Sequence, residues 1–146
     1  MLQGFDVISD LHLIPNEEFN WEGKATSLYC IIAGNISHDI PTIIKTLSIL
    51  SRYYQGVFYA LGALEYQDVD VSDVYVKTKQ LLHACSRIKN VAVLHQNVVI
   101  IDGVAYTVQG IILPQTSIRT WHGLVFISVR SQRYVLPCTS WIIGIV

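Results

Sequence analysis

Strand-like apolar runs alternate with helix-like patterns along the first two-thirds of the chain, and this alternation restricts the folds open to it. Helices are predicted from Asp39, with Pro41 in the first turn, to just before Gly56, and again over residues 72–88. Strands are predicted at residues 5–8, 28–33, 57–61 and 91–94. Strand, helix and strand in succession make parallel neighbours, so we expect an α/β fold.

A hairpin follows the last of these strands. Residues 98–101 and 104–108 flank Asp102-Gly103, a dipeptide typical of tight hairpin turns. The hairpin adds antiparallel strands, so a mixed β-sheet with flanking helices is expected. Two more strands are predicted at 124–129 and 141–146, with no pattern that specifies their pairing. The 146 residues fit one domain, 1–146, with a β-rich tail over 116–146.

The composition points to a partly covered surface. Only 14% of residues are charged, against about 25% in an average soluble domain. We therefore expect a homo-oligomer or a protein partner that contacts an apolar surface and the C-terminal strand. The formal net charge of -1 gives no reason to expect nucleic acid. The apolar runs are far shorter than the ~20 residues needed to cross a bilayer, so no membrane association is expected.

Three cysteines, Cys30, Cys85 and Cys138, lie in apolar surroundings without a paired spacing. They are interpreted as buried free thiols in a reducing compartment. The N-terminus lacks a basic segment followed by an apolar one, so no signal peptide is expected. These features predict an intracellular, cytoplasmic protein.

Polar turns follow the first three strands, where α/β folds place their sites. Asp10-Leu11-His12 sets a carboxylate and an imidazole two residues apart after the first strand. Alternation along a strand would point both side chains the same way, and Mn, Fe or Zn accepts such O and N ligands. The next two turns are Gly34-Asn35-Ile36-Ser37-His38-Asp39 and Gly62-Ala63-Leu64-Glu65.

In order and spacing, these turns resemble the calcineurin-like metallophosphoesterase family, whose motifs run D-x-H, G-D and G-N-H-[DE]. The resemblance covers roughly residues 4–115 and implies an αββα sandwich with a shortened second half. It also implies two metals that clamp a phosphate and activate a water. By this resemblance Asp10 and His12 match ligands of the first metal. Asn35 stands where the family has a bridging Asp, Ala63 where an Asn ligates the second metal, and Leu64 where a His assists the leaving group.

Each departure from the family pattern removes chemistry. A bridging carboxylate offsets the repulsion between two dications, whereas the neutral amide of Asn35 offers one weak oxygen. Ala63 and Leu64 offer nothing to a metal or a phosphate. Gly34, Gly62 and Glu65 keep the frame of the turns. The later histidines, His83, His95 and His122, do not match the family's second-half ligands.

Several residues allow more than one interpretation. Asp10 and His12 form either a hydrogen-bonded relic or a binding site for one metal ion. His38 and Asp39 either cap the first helix or act as substitute ligands. Glu65 either faces solvent, complements a backbone N–H or rescues a metal site. The tyrosines are interpreted as packing residues of the core or its rim: Tyr53, Tyr54, Tyr59 and Tyr66.

The sequence thus favours a catalytically degenerate metallophosphoesterase-like protein in a structural or protein-interaction role. No cofactor is expected; if one binds, it is a single Mn, Fe or Zn ion. The alternative is a residual one-metal phosphoesterase that uses Asp10, His12 and either Asn35 or Asp39. A regulator that keeps a phosphate pocket without chemistry is a third option. A compact degenerate copy would suit a viral or phage genome, an expectation that rests on the resemblance alone.

Overall fold

The computed structural model describes residues 4–95, 98–101, 104–114, 121–131 and 140–144, with side chains described for 4–95 and 99–101. Two α-helices lie in these residues, α1 (Ile40–Leu50) and α2 (Val74–Cys85), besides 3-10 turns at Leu64–Tyr66 and Val71–Asp73. The strands are β1 (Phe5–Ile8), β2 (Tyr29–Ala33), β3 (Gly56–Ala60), β4 (Val91–Val93), β5 (Val98–Ile101), β6 (Val104–Pro114), β7 (Trp121–Ser131) and β8 (Ser140–Gly144).

The first four strands form a parallel sheet in the order β1-β2-β3-β4. Helix α1 connects β2 to β3, and α2 connects β3 to β4. The central strands β2 and β3 are almost wholly buried, as expected for a parallel sheet that is covered on both faces. The predicted α/β fold is confirmed.

Asp39 fixes the start of α1. Its Oδ2 accepts hydrogen bonds from the Thr42 amide at 2.9 Å and the Thr42 hydroxyl at 2.6 Å, with Pro41 in the first turn. The predicted cap is therefore confirmed for Asp39. His38 does not share it, because its Nε2 lies 3.6 Å from Asp68 Oδ2. Neither helix of the described chain is long and apolar enough to cross a membrane.

The parallel sheet has a core on each face. On one face, Ile32 and Tyr59 pack with Leu47 of α1 and Leu81 of α2. On the other face, a smaller core includes β2 and β3 residues together with Leu94 and Ile101. The helices therefore cover one face, and β5 packs against the other.

The hairpin opens a separate antiparallel sheet in the order β5-β6-β7-β8. Ile101 pairs with Val104, which confirms the predicted hairpin strands; the turn at 102–103 lies outside the described residues. The parallel and antiparallel strands thus form two separate sheets. The strand pattern alone predicted one mixed sheet, whereas the αββα sandwich that the resemblance implies contains two. The difference arises because Ile101 is buried on the face of the parallel sheet, so β5 does not extend its edge.

The pairing of the tail, which the sequence left open, follows from the strand register. Strand β7 pairs with β6 along its whole length, and β8 pairs with β7 from Leu124↔Gly144 to Ser128↔Ser140. The predicted strands at 124–129 and 141–146 correspond to β7 and β8, with 145–146 outside the described residues.

Cys30 and Cys85 are buried free thiols, as predicted, and Cys138 lies outside the described residues. Burial is the main cause that raises the pKa of Cys30 to about 12 and of Cys85 to about 11. Both therefore remain protonated and unreactive at neutral pH.

Candidate functional site

The three turns predicted from the sequence meet at the carboxyl edge of the parallel sheet. The amide of His12 donates to the carbonyl of Asn35 at 3.1 Å, which joins the first turn to the second. Gly34 and Gly62 join the second turn to the third, since a Cβ on Gly34 would lie 2.6 Å from the Gly62 Cα. Only residues without a side chain allow this approach.

Strained backbone is concentrated at this edge. Of the four non-glycine residues with positive φ in the described chain, Asp10 (55°), His12 (50°) and Asn35 (59°) lie here, and Asn16 (68°) is the fourth. The left-handed conformation costs about 1 kcal/mol for such residues, and strain of this kind is typical of functional sites. The concentration of strain marks this edge as the candidate site.

Asp10 and His12 come together as predicted, although for a different reason. Strand β1 ends at Ile8, so the left-handed turn, and not strand alternation, brings the side chains close. His12 Nε2 lies 3.5 Å from Asp10 Oδ1, and the two side chains are 61% and 37% exposed. The pair lies at the surface of the turn.

The carboxamide of Asn35 lies between the first and third turns. Its Oδ1 accepts a hydrogen bond from the Leu64 amide at 2.9 Å, and its Nδ2 donates to Asp10 Oδ1 at 2.8 Å. The amide of Leu64 can only donate, so it fixes the carboxamide orientation and directs the NH₂ group at Asp10. A bridging carboxylate would offer lone pairs at this point, whereas Asn35 offers hydrogens.

Glu65 holds the turns together from inside. It is 0% exposed, and each carboxylate oxygen accepts two hydrogen bonds. Oε1 accepts from the Ile36 amide at 2.9 Å and the Tyr59 hydroxyl at 2.6 Å, and Oε2 from the amides of Asn35 at 3.1 Å and Gly62 at 2.9 Å. Of the three interpretations, the one in which Glu65 complements backbone N–H groups is confirmed.

The Tyr59 hydroxyl stays protonated and donates a hydrogen bond to Glu65. Burial, followed by the neighbouring Glu65, raises the pKa of Tyr59 well above its usual value of 10.0. Its packing role in the core, and that of Tyr54 and Tyr66, agrees with their burial, whereas Tyr53 is 39% exposed and is not a core residue.

The described side chains at the three turns supply too few ligands for the two-metal centre of the resembled family. Among the described side chains, no group of three or more His, Cys, Asp or Glu could hold a metal ion. Asp10 and His12 supply two candidate ligands, and Asn35 presents its NH₂ group to Asp10. At the family's leaving-group position, Leu64 contributes a backbone amide to the network.

The remaining histidines do not extend this site by any described contact. His38 pairs with Asp68, and His83 on α2 lies 3.2 Å from the Arg87 guanidinium. His95 follows β4 and is exposed. The side chain of His122 lies outside the described residues.

A second carboxylate network, at Asp6 in β1, was not predicted from the sequence. Asp6 accepts hydrogen bonds from the amide and hydroxyl of Thr26, from the Ser27 amide at 3.3 Å and from the Tyr54 hydroxyl at 2.8 Å. Burial alone would raise the pKa of Asp6, but these hydrogen bonds outweigh it and hold the pKa well below its usual value. Trp21 donates to Tyr54 at 2.8 Å, so this network anchors the loop between β1 and β2.

The fold and the site together define an α/β protein with a strained, glycine-framed edge. A scan against protein-family models gives no match, and a search of curated proteins gives none either. A solved structure, that of phosphopantetheinyl hydrolase (PptH) from Mycobacterium tuberculosis, is similar at 19% identity and a TM-score of 0.49. The match covers 67% of this chain and 37% of that one, so this chain spans little more than a third of its length.

Proposed function

We propose that this chain is a catalytically degenerate domain of the metallophosphoesterase-like αββα type, used in a structural or protein-interaction role. The observation that supports this most strongly is the orientation of Asn35. Its NH₂ group donates to Asp10 Oδ1, where the resembled family would share a carboxylate between metals.

The electrostatics of this arrangement favour a site without two cations. Two dications at close range repel strongly, and a bridging carboxylate supplies the charge that offsets the repulsion. The Asn35 carboxamide supplies no charge, and its hydrogen bond occupies a lone pair of Asp10. The same bond links two turns, a structural function that needs no ion.

The hydrogen bonds of the turns also argue against a phosphate pocket. The amides of Asn35, Ile36 and Gly62 donate to Glu65, and the amide of Leu64 donates to Asn35. Phosphate sites in such turns depend on backbone N–H groups directed at the ligand. Here these donors are bound to the protein itself.

A one-metal phosphoesterase is the second candidate, favoured by the exposed Asp10–His12 pair and by the strained turns that carry it. One bound metal could polarise a phosphoryl oxygen and lower the pKa of a water.

Hydrolysis of bis-p-nitrophenyl phosphate with excess Mn²⁺ separates the two candidates. The wild-type chain is compared with Asp10→Ala and with Asp68→Ala, which removes another exposed aspartate that faces a histidine. We expect no Mn²⁺-dependent turnover in any of the three, and no heat of Mn²⁺ binding by calorimetry. Turnover that Asp10→Ala abolishes and Asp68→Ala retains would establish the one-metal enzyme instead.

A further inference from the structure

Charge is segregated along the chain. Residues 1–73 contain ten acidic and three basic side chains, whereas residues 74–101 contain four basic and no acidic ones. Much of the basic segment is α2, on whose exposed side Lys79 and His83 lie. The net charge near zero therefore conceals two segments of opposite sign, which meet at the start of α2.

An apolar groove borders this basic helix. Its walls include Val71, Val74, Tyr75 and Leu82, together with Lys79, around a volume of about 470 Å³. Val71 and Tyr75 are each 68% exposed. The Lys79 ammonium lies 4.9 Å from the centre of the Tyr75 ring, so the groove combines apolar walls with a fixed cation.

An exposed apolar side chain next to two carboxylates lies in the acidic segment, at residues 14–18, here named the acidic tip. Ile14 is 65% exposed, and all five residues of the tip are exposed. The tip is a compact turn, because the amide of Ile14 donates to Glu17 Oε2 at 3.0 Å and the amide of Glu17 donates to the Ile14 carbonyl at 3.1 Å. Since Glu17 holds the turn, Glu18 is the carboxylate left to meet a partner's cation.

We propose that the chain self-associates head to tail, with the acidic tip of one copy seated in the α2 groove of the next. Ile14 then packs against Val71, Tyr75 and Leu82, and Glu18 faces Lys79. The tip offers an apolar side chain and a carboxylate, and the groove offers apolar walls and a cation, which is why a second copy is the occupant. This inference rests on the proposed interaction role and names its partner. A contact between two different surfaces builds rings or open filaments.

Charge-swap variants studied by sedimentation velocity test the contact. At an ionic strength of about 0.05 M we expect concentration-dependent association of the wild type, and about tenfold weaker association at about 0.5 M, where screening is stronger. Lys79→Glu and Glu18→Lys should each weaken association about tenfold or more. An equimolar mixture of the two variants should recover it, because every contact in an alternating assembly again joins opposite charges.

Lys45→Glu is the matched control, since Lys45 is an exposed lysine on the other helix, and it should associate like the wild type. A wild type that stays monomeric at low salt would overturn the inference. So would association that neither swap weakens, or a mixture that fails to recover it. A monomeric protein without hydrolytic activity would overturn this inference and leave the proposed degenerate site standing, whereas an associating protein with hydrolytic activity would overturn the degenerate-site proposal alone.

Discussion

Glu65 and Asp10 are carboxylates on neighbouring turns of one sheet edge, and Asn35 contacts both. Its backbone amide donates to Glu65, which is fully buried and accepts four hydrogen bonds. Its side chain donates to Asp10, which is partly exposed and accompanied by His12. Glu65 therefore stabilises the fold, whereas most of the hydrogen-bonding capacity of Asp10 remains available to solvent. It follows that this edge can remain ordered whether or not the exposed pair binds anything.

The largest effect is expected from Glu65→Gln. The variant keeps the volume but leaves one acceptor oxygen for four buried donors, and the unpaired donors cost about 3 kcal/mol in free energy of unfolding. Urea denaturation followed by circular dichroism measures the loss. Tyr59→Phe removes only one donor and should cost about 1 kcal/mol. If Glu65→Gln is as stable as Tyr59→Phe, the carboxylate is not what joins the turns.

Asn35→Asp should have the next largest effect. The new carboxylate would lie against Asp10 in place of an NH₂ group 2.8 Å away, and we expect a loss of about 2 kcal/mol at neutral pH from like-charge repulsion. Millimolar Mn²⁺ should restore part of that stability, since the two carboxylates and His12 then form a ligand set. Thermal denaturation with and without Mn²⁺ measures both effects.

Asn35→Ala is the control for that substitution, because it removes the donor to Asp10 without adding charge, and it also removes the acceptor of the Leu64 amide, which Asn35→Asp keeps. It should be destabilised and insensitive to Mn²⁺. If Mn²⁺ stabilises Asn35→Ala as much as Asn35→Asp, the ion acts elsewhere in the protein. Asp10 would then not be the carboxylate that is available to a ligand.

The fold was predictable as far as it depends on local pattern. β1 was predicted to the residue, β2 and β3 within one residue at each end, and Asp39 was identified as the cap of α1. The separation into two sheets could not be predicted from the strand pattern, because it depends on the burial of Ile101 against the distant residues Ile31 and Phe58. Periodicity shows that a residue is buried without showing what it is buried against.

The candidate site divides in the same way. The motif placed Asp10, Asn35 and Glu65 on turns at one edge, and the structure brings all three together. The direction of the Asn35 carboxamide was not predictable, since it is fixed by the Leu64 amide 29 residues away. Asp6 was missed because a single carboxylate in an apolar strand gives no motif, and its donors are as far as 48 residues away.

Asp6 extends the comparison, since it also accepts four hydrogen bonds but is less buried than Glu65. Its pKa is lowered in the folded state, so its contribution to stability is present above the unfolded pKa of about 4 and is lost as the pH falls below it. Asp6→Asn should cost about 1.5 kcal/mol at pH 7 and much less near pH 2. Denaturation at a series of pH values measures the difference.

Asp68→Asn is the control for this pH series, because Asp68 is exposed and faces only His38 among its described charged contacts. It should leave the acid dependence of stability unchanged. If Asp6→Asn keeps the wild-type acid dependence, the number of hydrogen bonds does not set how much a carboxylate contributes to stability. Burial alone would then distinguish Glu65 from Asp6.

The smallest effect on stability is expected at His12, in the exposed Asp10–His12 pair. His12→Gly removes a left-handed strain of about 1 kcal/mol but adds chain entropy to the unfolded state of similar size, so its stability should lie within about 0.5 kcal/mol of the wild type. His12→Ala keeps the Cβ, the strain and the chain entropy of the unfolded state, so its stability should also lie within about 0.5 kcal/mol of the wild type. Urea denaturation of both variants separates the backbone from the ring. If both variants lose about 1 kcal/mol or more in free energy of unfolding, the imidazole stabilises the turn through Asp10. The Asp10–His12 pair would then contribute to the stability of this sheet edge.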